Sequence, residues 1–214
     1  MDDSTKHVGS RNHYEKGELT EETAGSDPFA LFQEWLGTAE VSGQPEHNAM
    51  ALATAGSASI SCRMVLLRSF SSEGFIFYTN YNSRKAMDLE RDNRAALTFF
   101  WPGLERQVRI EGKVEAVTTE ESDAYFATRP RESRIGAWSS DQSRAVESRA
   151  KLDERYARWN ERFKDQEVPR PEHWGGLRVR PVRIEFWQGR ADRMHDRIVF
   201  EHFPDGWRRM RLQP

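Results

Sequence analysis

IEFWQGRADRMHDR, residues 184–197, combines bulky aromatic side chains with cations at alternate positions. Successive side chains of a β-strand point to opposite faces, so a strand here would place Arg193, His195 and Arg197 on one face. Three clustered cations repel one another and resist burial, so that face meets either water or an anion. The stretch alone favours the solvated strand face, and the anion site needs support from the rest of the chain.

The size and charge of the chain exclude several classes of protein. It has 214 residues, of which 31% are charged, and a formal net charge of −2. The length suffices for a domain with a core, and the near balance of charge gives no basis for binding a nucleic acid. No apolar run approaches membrane-spanning length, and the first ten residues lack an apolar secretory segment. We expect a cytoplasmic protein with no membrane partner.

The single cysteine, Cys62, excludes an internal disulfide and fits a reducing compartment. No metal site is predicted. Residues 1–26 are polar without a hydrophobic period, which predicts a flexible N-terminal arm, and residues 27–214 are predicted to form one domain. The Ser-Asp-Pro sequence at 26–28 is typical of a helix start.

The remaining helices and the strands follow from local pattern. A capping box at 118–121 predicts a helix that ends at Pro130, and an aromatic stripe predicts another over about residues 145–164. The segment 168–176, VPRPEHWGG, predicts a linker. Eight stretches rich in β-branched and aromatic residues predict strands. They are MALATA, SCRMVLLRSF, GFIFYTN, AALTFFW, RQVRIEGKVEAV, LRVRPVRIEFWQ, RIVFEHF and WRRMRL. Consecutive strands with few long helices predict a mostly β fold, an antiparallel barrel with peripheral helices.

Basic residues at a predicted helix start indicate a first anion site. Ser83 is a favoured N-cap, which places Arg84 and Lys85 in the first helical turn. A helix N-terminus already carries partial positive charge, so these cations are unfavourable there unless an anion such as phosphate binds. The pattern favours a surface helix and a phosphate site about equally.

Arg63 and Arg68 interrupt the otherwise apolar stretch 61–70. Apolar residues lie on both faces of this predicted strand, which predicts burial on both faces. A buried arginine needs a negative partner. A carboxylate such as Glu111 would satisfy that need, and a phosphate would satisfy it equally well.

A second candidate anion site follows the helix that ends at Pro130. Tyr125 and Arg129 are one helical turn apart, and Ser133 is predicted in the loop beyond. A phenol, a guanidinium and a hydroxyl make a compact phosphate cradle, although an arginine that caps the helix C-terminus is the simpler alternative. Two oxyanion sites suggest a phosphorylated cofactor and a phosphorylated substrate. The first site would use Arg63, Arg84 and Lys85, and the second Arg68, Tyr125, Arg129 and Ser133.

At this point the motifs match a known family. RMVLLR, FYTNYNSRKA, LERQVRIEG, YFATRPRESRIGAWSSDQS, EVPRPEHWGG and the opening stretch resemble, in order and spacing, the pyridoxamine/pyridoxine 5′-phosphate oxidase family of FMN enzymes. The resemblance runs from about Tyr14 to the final RLQP. It implies an antiparallel FMN-binding split β-barrel and a homodimer with FMN at the subunit interface.

The resemblance also implies roles for individual residues. The FMN contacts would be Arg63, Met64, Tyr78, Thr79, Ser83, Arg84, Lys85, Gln107, Gln142, Ser143, Trp187 and Arg197. The substrate would contact Arg11, Tyr14, Arg68, Tyr125, Arg129, Ser133, Arg193 and His195, of which the last two would be the catalytic residues beside the pyridine ring. The implied reaction is hydride transfer from the amine- or alcohol-bearing carbon to the flavin, followed by reoxidation by O2.

Two positions depart from the family pattern, both on the substrate side. Arg68 stands where lysine is usual, and Arg134 stands where glutamine is common. A guanidinium is broader and more forked than an ammonium group, so the fit to a phosphate changes. The alternative is therefore a phenazine-biosynthesis flavin oxidase, a paralogue that acts on a reduced tricyclic phenazine precursor. The retained substrate-side residues favour pyridoxine chemistry, and a flavin- or pyridoxal-phosphate-binding protein without turnover is a third reading.

Overall fold

The computed structural model describes residues 13–56 and 59–214. Within these ranges nine strands form one antiparallel sheet with six α-helices around it. The strands are β1 (Ala49–Ala55), β2 (Ile60–Leu66), β3 (Ser69–Ser71), β4 (Gly74–Asn80), β5 (Arg94–Trp101), β6 (Arg106–Ala116), β7 (Trp174–Gln188), β8 (Asp196–Phe203) and β9 (Gly206–Leu212). The helices are α1 (Glu21–Ala24), α2 (Pro28–Val41), α3 (Arg84–Arg91), α4 (Thr119–Thr128), α5 (Arg131–Ser139) and α6 (Arg149–Arg162). None of the described helices is both long and apolar enough to cross a membrane.

The long strand β7 divides the sheet. The strand order is β2-β1-β5-β6-β7-β4-β3, and β8 and β9 extend from β7 beside this path. On one side β7 pairs with β6, while on the other its residues 174–179 pair with β4 and its residues 183–188 pair with β8. Pro181, which has no N–H to donate, lies between the two halves and close to a β-bulge at Glu111/Gly112. The sheet therefore curls and splits at this point into an antiparallel half-barrel, which confirms the predicted split β-barrel fold.

Helix α2 covers the inner face of the sheet. Asp27 caps its first turn and Pro28 starts it, as the sequence predicts. Its buried Phe32 contacts Phe75 and Phe99 at ring-centroid distances of 4.9 and 5.1 Å. The core is thus formed between α2 and residues that alternate inward along the strands, because only one side of each strand faces the helix.

Most of the predicted elements are confirmed. The capping box at Thr118 starts α4, α6 lies within the predicted 145–164, and every predicted strand is present. The stretch 61–70 is divided, because β2 ends at Leu66 and β3 starts at Ser69. The prediction that β2 is buried on both faces is wrong, since Ile60 and Met64 are 80% and 64% exposed in the single subunit.

Three local predictions are corrected by tertiary contacts. Pro130 is followed at once by α5 rather than by a loop, so Ser133 is helical. The predicted linker ends earlier than expected, since β7 already begins at Trp174. Gly175 packs so closely against Tyr81 that a Cβ at this position would overlap the Tyr81 hydroxyl. The packed chain begins before residue 27, since Leu19 is 2% exposed and donates its N–H to Asp196.

Candidate functional site

The first group of predicted residues surrounds the start of α3, and we call it the Lys85 cluster. It consists of Arg63, Thr79, Ser83, Arg84, Lys85 and Gln142. Ser83 is the N-cap residue, but its hydroxyl makes no capping bond and instead accepts from Lys85 Nζ at 3.2 Å. Lys85 Nζ also donates to Thr79 Oγ1 at 3.2 Å and to Gln142 Oε1 at 3.3 Å. The amine is therefore held in one position by neutral oxygen atoms.

Lys85 is a buried cation without an acidic partner. The residue is 8% exposed and forms no ion pair within the described ranges. Burial, and then the charge of Arg63, lower the pKa of Lys85 from 10.5 to about 8. A buried charge of this kind is unfavourable until a negative group arrives. The arrangement fits a phosphate bound at the N-terminus of α3.

Arg63 is fixed by polar groups on β1 and β2. Its Nη1 donates to Leu52 O at 3.0 Å and to Thr54 Oγ1 at 2.8 Å, and its Nη2 donates to Ser61 Oγ. Asp88 lies 4.0 Å from Nη2. Burial lowers the pKa of Arg63, although the Asp88 carboxylate opposes that effect.

Glu111, the carboxylate that the sequence offered as one alternative partner, does not accompany Arg63. Glu111 pairs with Arg109 at 3.6 Å and with Arg183 at 3.1 Å, on the far side of the sheet from α3. The carboxylate that accompanies Arg63 is Asp88, which accepts hydrogen bonds from Thr54 and Ser61. Sequence reasoning missed it because Asp88 is polar and helical, which is the ordinary pattern of a surface residue.

An aromatic cavity adjoins the Lys85 cluster. Its volume is about 250 Å³, and Tyr78, Thr79 and Gln142 form one side of it. The rings of Tyr78 and Tyr125 are stacked at 3.9 Å, and Trp174 lies nearly parallel to both. Trp174 had no predicted role, because it lies in the segment read as a linker.

The predicted substrate-phosphate residues meet in this cavity, with one exception. Arg68 and Arg129 both line it, and the Arg129 guanidinium lies 4.5 Å above the Trp174 ring. Arg129 Nη1 is buried and has no hydrogen-bond partner, which leaves a donor free for an anion. Ser133 lies in α5 and does not line the described cavity.

Two further predicted FMN contacts lie at the margin of the Lys85 cluster. Met64 neighbours Arg63 on β2 and faces the opposite side. Ser143 follows Gln142 in an exposed turn, and its φ of 70° is in the left-handed region. The roles of both residues stay predictions.

The second group, which we call the Arg197 cluster, crosses the far end of the sheet. It consists of Gln107, Glu185, Trp187, His195 and Arg197. Gln107, Trp187 and Arg197 are direct neighbours across β6, β7 and β8. The His195 ring lies 4.7 Å from Trp187, and the Tyr14 ring lies 5.6 Å from His195. Arg11, the other predicted N-terminal contact, lies outside the described residues.

Arg193, His195 and Arg197 do not lie together in one strand, as their alternate positions predicted. Strand β8 begins only at Asp196, and Arg193 lies in a short 3-10 turn with a left-handed φ of 63°. Arg193 and His195 precede the strand, so the prediction that they share one strand face with Arg197 is wrong. Arg193 is exposed, and its charge lies close enough to act on His195.

His195 is partly buried and lies close to the charge of Arg193. Burial, and then the charge of Arg193, lower its pKa. Its Nδ1 accepts from the backbone N–H of Arg190 at 3.1 Å. The neutral ring therefore carries its proton on Nε2 and presents a hydrogen-bond donor.

Arg197 is held by a carboxylate that had no predicted role. Glu185 is 1% exposed, and its Oε1 lies 2.9 Å from both Nε and Nη2 of Arg197. Burial would raise the pKa of Glu185, but the hydrogen bond from Arg197 and the neighbouring arginine charges outweigh it and lower that pKa. The sequence signal that could have predicted this role is the position of Glu185 as a lone acid inside the apolar run IEFW.

The two clusters lie at opposite ends of β7. Tyr78 and Thr79 pair with Gly176 and Gly175 at its start, whereas Trp187 lies eleven residues further along. Eleven residues correspond to roughly 35 Å of strand, more than one nucleotide-sized ligand can bridge. One subunit therefore holds the two clusters as separate groups of residues, and we call each of them a half-site.

Comparisons with known proteins agree with this geometry. A family model described as pyridoxamine 5′-phosphate oxidase matches residues 38–163, and one described as pyridoxine 5′-phosphate oxidase C-terminal dimerisation region matches residues 174–214. The chain is 52% identical to a pyridoxine/pyridoxamine 5′-phosphate oxidase of Rubrobacter xylanophilus, over 97% of this chain and 96% of that protein. It is 50% identical to the enzyme of the same name from Pseudomonas paraeruginosa, over 95% and 96%.

Two solved structures are similar in fold. PhzG from Burkholderia lata, in complex with tetrahydrophenazine-1-carboxylic acid, aligns with a TM-score of 0.86 and 31% identity over 92% of this chain and 98% of that chain. A pyridoxamine 5′-phosphate oxidase-related, FMN-binding protein from Nostoc punctiforme aligns with a TM-score of 0.69 and 14% identity, over 88% and 98%. At that identity the second likeness concerns the fold alone.

Proposed function

The chain belongs to the pyridoxamine 5′-phosphate oxidase family, and from this we propose that it is an FMN-dependent oxidase of pyridoxine and pyridoxamine 5′-phosphates. The product is pyridoxal 5′-phosphate. The observation that carries the proposal is a pair of cations without acidic partners among the described residues. Lys85 is buried and donates to Thr79 and Gln142, which line the cavity. Arg129 lines the cavity itself, and its Nη1 is buried without a hydrogen-bond partner. Two such cations suit two phosphates, one of a cofactor and one of a substrate.

The half-sites support a homodimer with composite active sites. Trp187, His195 and Arg197 lie within the 174–214 match to a dimerisation region. We propose that FMN binds between the Lys85 cluster of one subunit and the Arg197 cluster of the partner subunit. The separation of the clusters along β7 then has a function, because each subunit contributes one end to each site.

The residues of the Lys85 cluster bind the cofactor phosphate in this proposal. Lys85 and Arg84 meet it at the first turn of α3, while Arg63 approaches from β2. The phosphate restores the ordinary pKa of Lys85, because a negative partner compensates the burial of the ammonium group. The flavin, when bound, supplies the hydride-accepting chemistry and its reoxidation by O2.

The remaining residues orient the substrate. Arg129 and Arg68 bind its phosphate, and Tyr125 limits the cavity from the side. His195 donates a hydrogen bond from Nε2, because its Nδ1 already accepts the backbone N–H of Arg190. Tyr14 and Arg193 close over the pyridine ring and exclude water. These contacts act by positioning the reacting carbon.

Anaerobic titration of the FMN-loaded protein with pyridoxine 5′-phosphate tests the function. We expect the oxidised-flavin absorbance to bleach, pyridoxal 5′-phosphate to form, and admitted oxygen to restore the colour. Unphosphorylated pyridoxine is the matched control, and it should bleach the flavin far more slowly because Arg129 then has no anion to bind. A flavin that stays oxidised with the phosphorylated substrate contradicts the proposal.

One observation favours the phenazine alternative. Arg134 follows Ser133 in α5, and its Nε is buried without a partner, so the position where the family commonly has a neutral glutamine here holds a guanidinium with a free donor. PhzG is also similar in fold over most of the chain, although its 31% identity is well below the 52% of the Rubrobacter relative. Flavin bleaching by a reduced phenazine precursor, and not by pyridoxine 5′-phosphate, would support this alternative. Bleaching by neither would support a binding protein without turnover.

A further inference from the structure

We propose that Glu185 is a positioning residue that orients the Arg197 guanidinium toward the flavin. The inference rests on the proposed FMN contact of Arg197 and extends it to a residue that touches no ligand. The two oxygen atoms of the buried Glu185 carboxylate have different partners: Oε1 contacts Arg197, and Oε2 contacts two other arginines.

The first oxygen serves Arg197 alone among the described contacts. Glu185 Oε1 lies 2.9 Å from Nε and 2.9 Å from Nη2 of that arginine. The remaining nitrogen, Nη1, donates to the backbone carbonyl of Gln213 at 3.0 Å. A guanidinium has five N–H groups, so one hydrogen on each terminal nitrogen stays available for a ligand. Those two hydrogens point away from Glu185. Because the carboxylate holds Nε and Nη2, it determines the orientation of the guanidinium and with it the direction of these hydrogens.

The second oxygen anchors the carboxylate. Glu185 Oε2 lies 3.2 Å from Arg183 Nη2 and 3.5 Å from Arg109 Nη1. Arg183 is in turn tied to Glu111 at 3.1 Å and to Glu201 at 3.6 Å. The carboxylate is thus fixed from β6 and β7 through Oε2 while it holds a residue of β8 through Oε1. A buried charge with several partners resists rotation, so it transmits a fixed orientation.

The position of Glu185 on β7 fits this role. It lies two residues before Trp187 and therefore on the same face of the strand, and Trp187 is the direct neighbour of Arg197. Arg197 is only partly exposed, with 24% of its side chain accessible. Without the carboxylate its charge would lack a neutralising partner among the described residues, and the side chain would be free to turn toward water.

Replacement of Glu185 by glutamine tests the proposal. The measured quantity is the FMN dissociation constant of the apoprotein, followed by quenching of flavin fluorescence. We expect Glu185→Gln to weaken FMN roughly tenfold, because Arg197 loses its fixed orientation. The matched control is Glu115→Gln, which removes a carboxylate that pairs with Arg178 and Arg180 and leaves every contact of Glu185 intact. It should change the dissociation constant less than twofold.

A double-mutant cycle separates positioning from general stability. If Glu185 acts through Arg197, the Glu185→Gln/Arg197→Met protein binds FMN no more weakly than Arg197→Met alone. The circular-dichroism bands of bound flavin should change alike in the two single variants and stay unchanged in Glu115→Gln. Independent effects that multiply in the double variant would overturn the proposal.

A conservative variant covers the case in which Glu185→Gln does not fold. Glu185→Asp keeps the charge but withdraws the carboxylate from Arg197, so we expect FMN to bind roughly threefold more weakly. Unchanged affinity in Glu185→Asp, or in a folded Glu185→Gln beside a weakened Arg197→Met, would overturn the positioning role alone. Unchanged affinity in Arg197→Met would instead overturn the proposed FMN contact, and this inference with it.

Discussion

The cation clusters at the two ends of β7 differ in what neutralises them. Lys85 is surrounded by hydroxyl and amide oxygens and has no acidic partner in the described chain, whereas Arg197 is paired with a buried carboxylate. A cation without a partner is costly until an anion binds, and a paired cation is already compensated. The Lys85 cluster is therefore suited to bind an anion, while the Arg197 cluster is suited to keep a guanidinium in a fixed orientation.

The same difference separates affinity from orientation. In the proposed function the phosphate supplies the charge that the Lys85 cluster lacks, so much of the binding energy arises there. The Arg197 cluster gains little from further negative charge, because Glu185 already provides it. The Arg197 cluster instead contributes the N–H donors of Arg197 and the rings of Trp187 and His195, all in fixed positions. Three predictions test this division, in decreasing order of expected effect.

The largest effect is expected from mixed dimers. Lys85→Met homodimers should bind FMN roughly 50-fold more weakly than the wild type, and Arg197→Met homodimers roughly 20-fold more weakly, because each loses a charged hydrogen bond in every site and only Lys85 lacks another negative partner. A heterodimer of the two, isolated with two affinity tags, should recover one site of wild-type affinity, because one composite site then contains neither substitution. Fluorescence titration gives the number and affinity of the sites.

The control heterodimer carries both substitutions in one subunit beside a wild-type subunit. Each of its composite sites then contains one substitution, so no wild-type site is expected. If both clusters served a ligand within one subunit, the two heterodimers would show the opposite pattern. That outcome would contradict the composite site and the comparison built on it.

The next effect is the pH dependence of FMN affinity. The free protein has a Lys85 pKa of about 8, and phosphate binding requires the protonated amine. Affinity should therefore fall only about twofold between pH 7 and 8, and then approach a tenfold fall per pH unit above pH 8, until the pKa of the bound state is reached. Riboflavin, which lacks the phosphate, is the control. A similar fall with riboflavin, or a flat profile with FMN, would refute the role of Lys85.

The smallest effect concerns stability without a ligand. Lys85→Met should raise the free energy of unfolding of the apoprotein by about 1 kcal/mol at pH 7, because it removes an uncompensated buried charge. The matching Tm increase is about 2–4 °C. Glu185→Gln should have the opposite sign, since it leaves arginines without their carboxylate. Calorimetry of the three apoproteins measures both changes.

The pH dependence of this stabilisation follows from the direction of the shift. The pKa of Lys85 is lower in the folded than in the unfolded chain, so between pH about 8 and 10.5 the unfolded chain keeps a proton that the folded chain has released. The wild type therefore gains stability with rising pH across this range, and the advantage of Lys85→Met should shrink. A constant difference between the two proteins would show that the charge of Lys85 is not its cause.

Local sequence patterns predicted much of the fold and of the half-sites. The strands, the start of α2 at Pro28 and the capping box at Thr118 depend on neighbouring residues, which is why propensity and spacing sufficed. The order of the motifs also predicted the family. The loop expected after Pro130 was wrong, and the predicted linker ends at residue 173 rather than 176, because packing of α5 and of β7 overrides the local signals of proline and glycine.

The sequence by itself determined which residue types are available: cations at a helix start, a row of aromatic strands, and an acid within IEFW. Only the tertiary structure decided which of them meet. Asp88 rather than Glu111 accompanies Arg63, Glu185 holds Arg197, and the two clusters lie at opposite ends of β7. The reason is physical: propensity acts between chain neighbours, whereas ion pairs and ring contacts depend on register between strands that are distant in sequence.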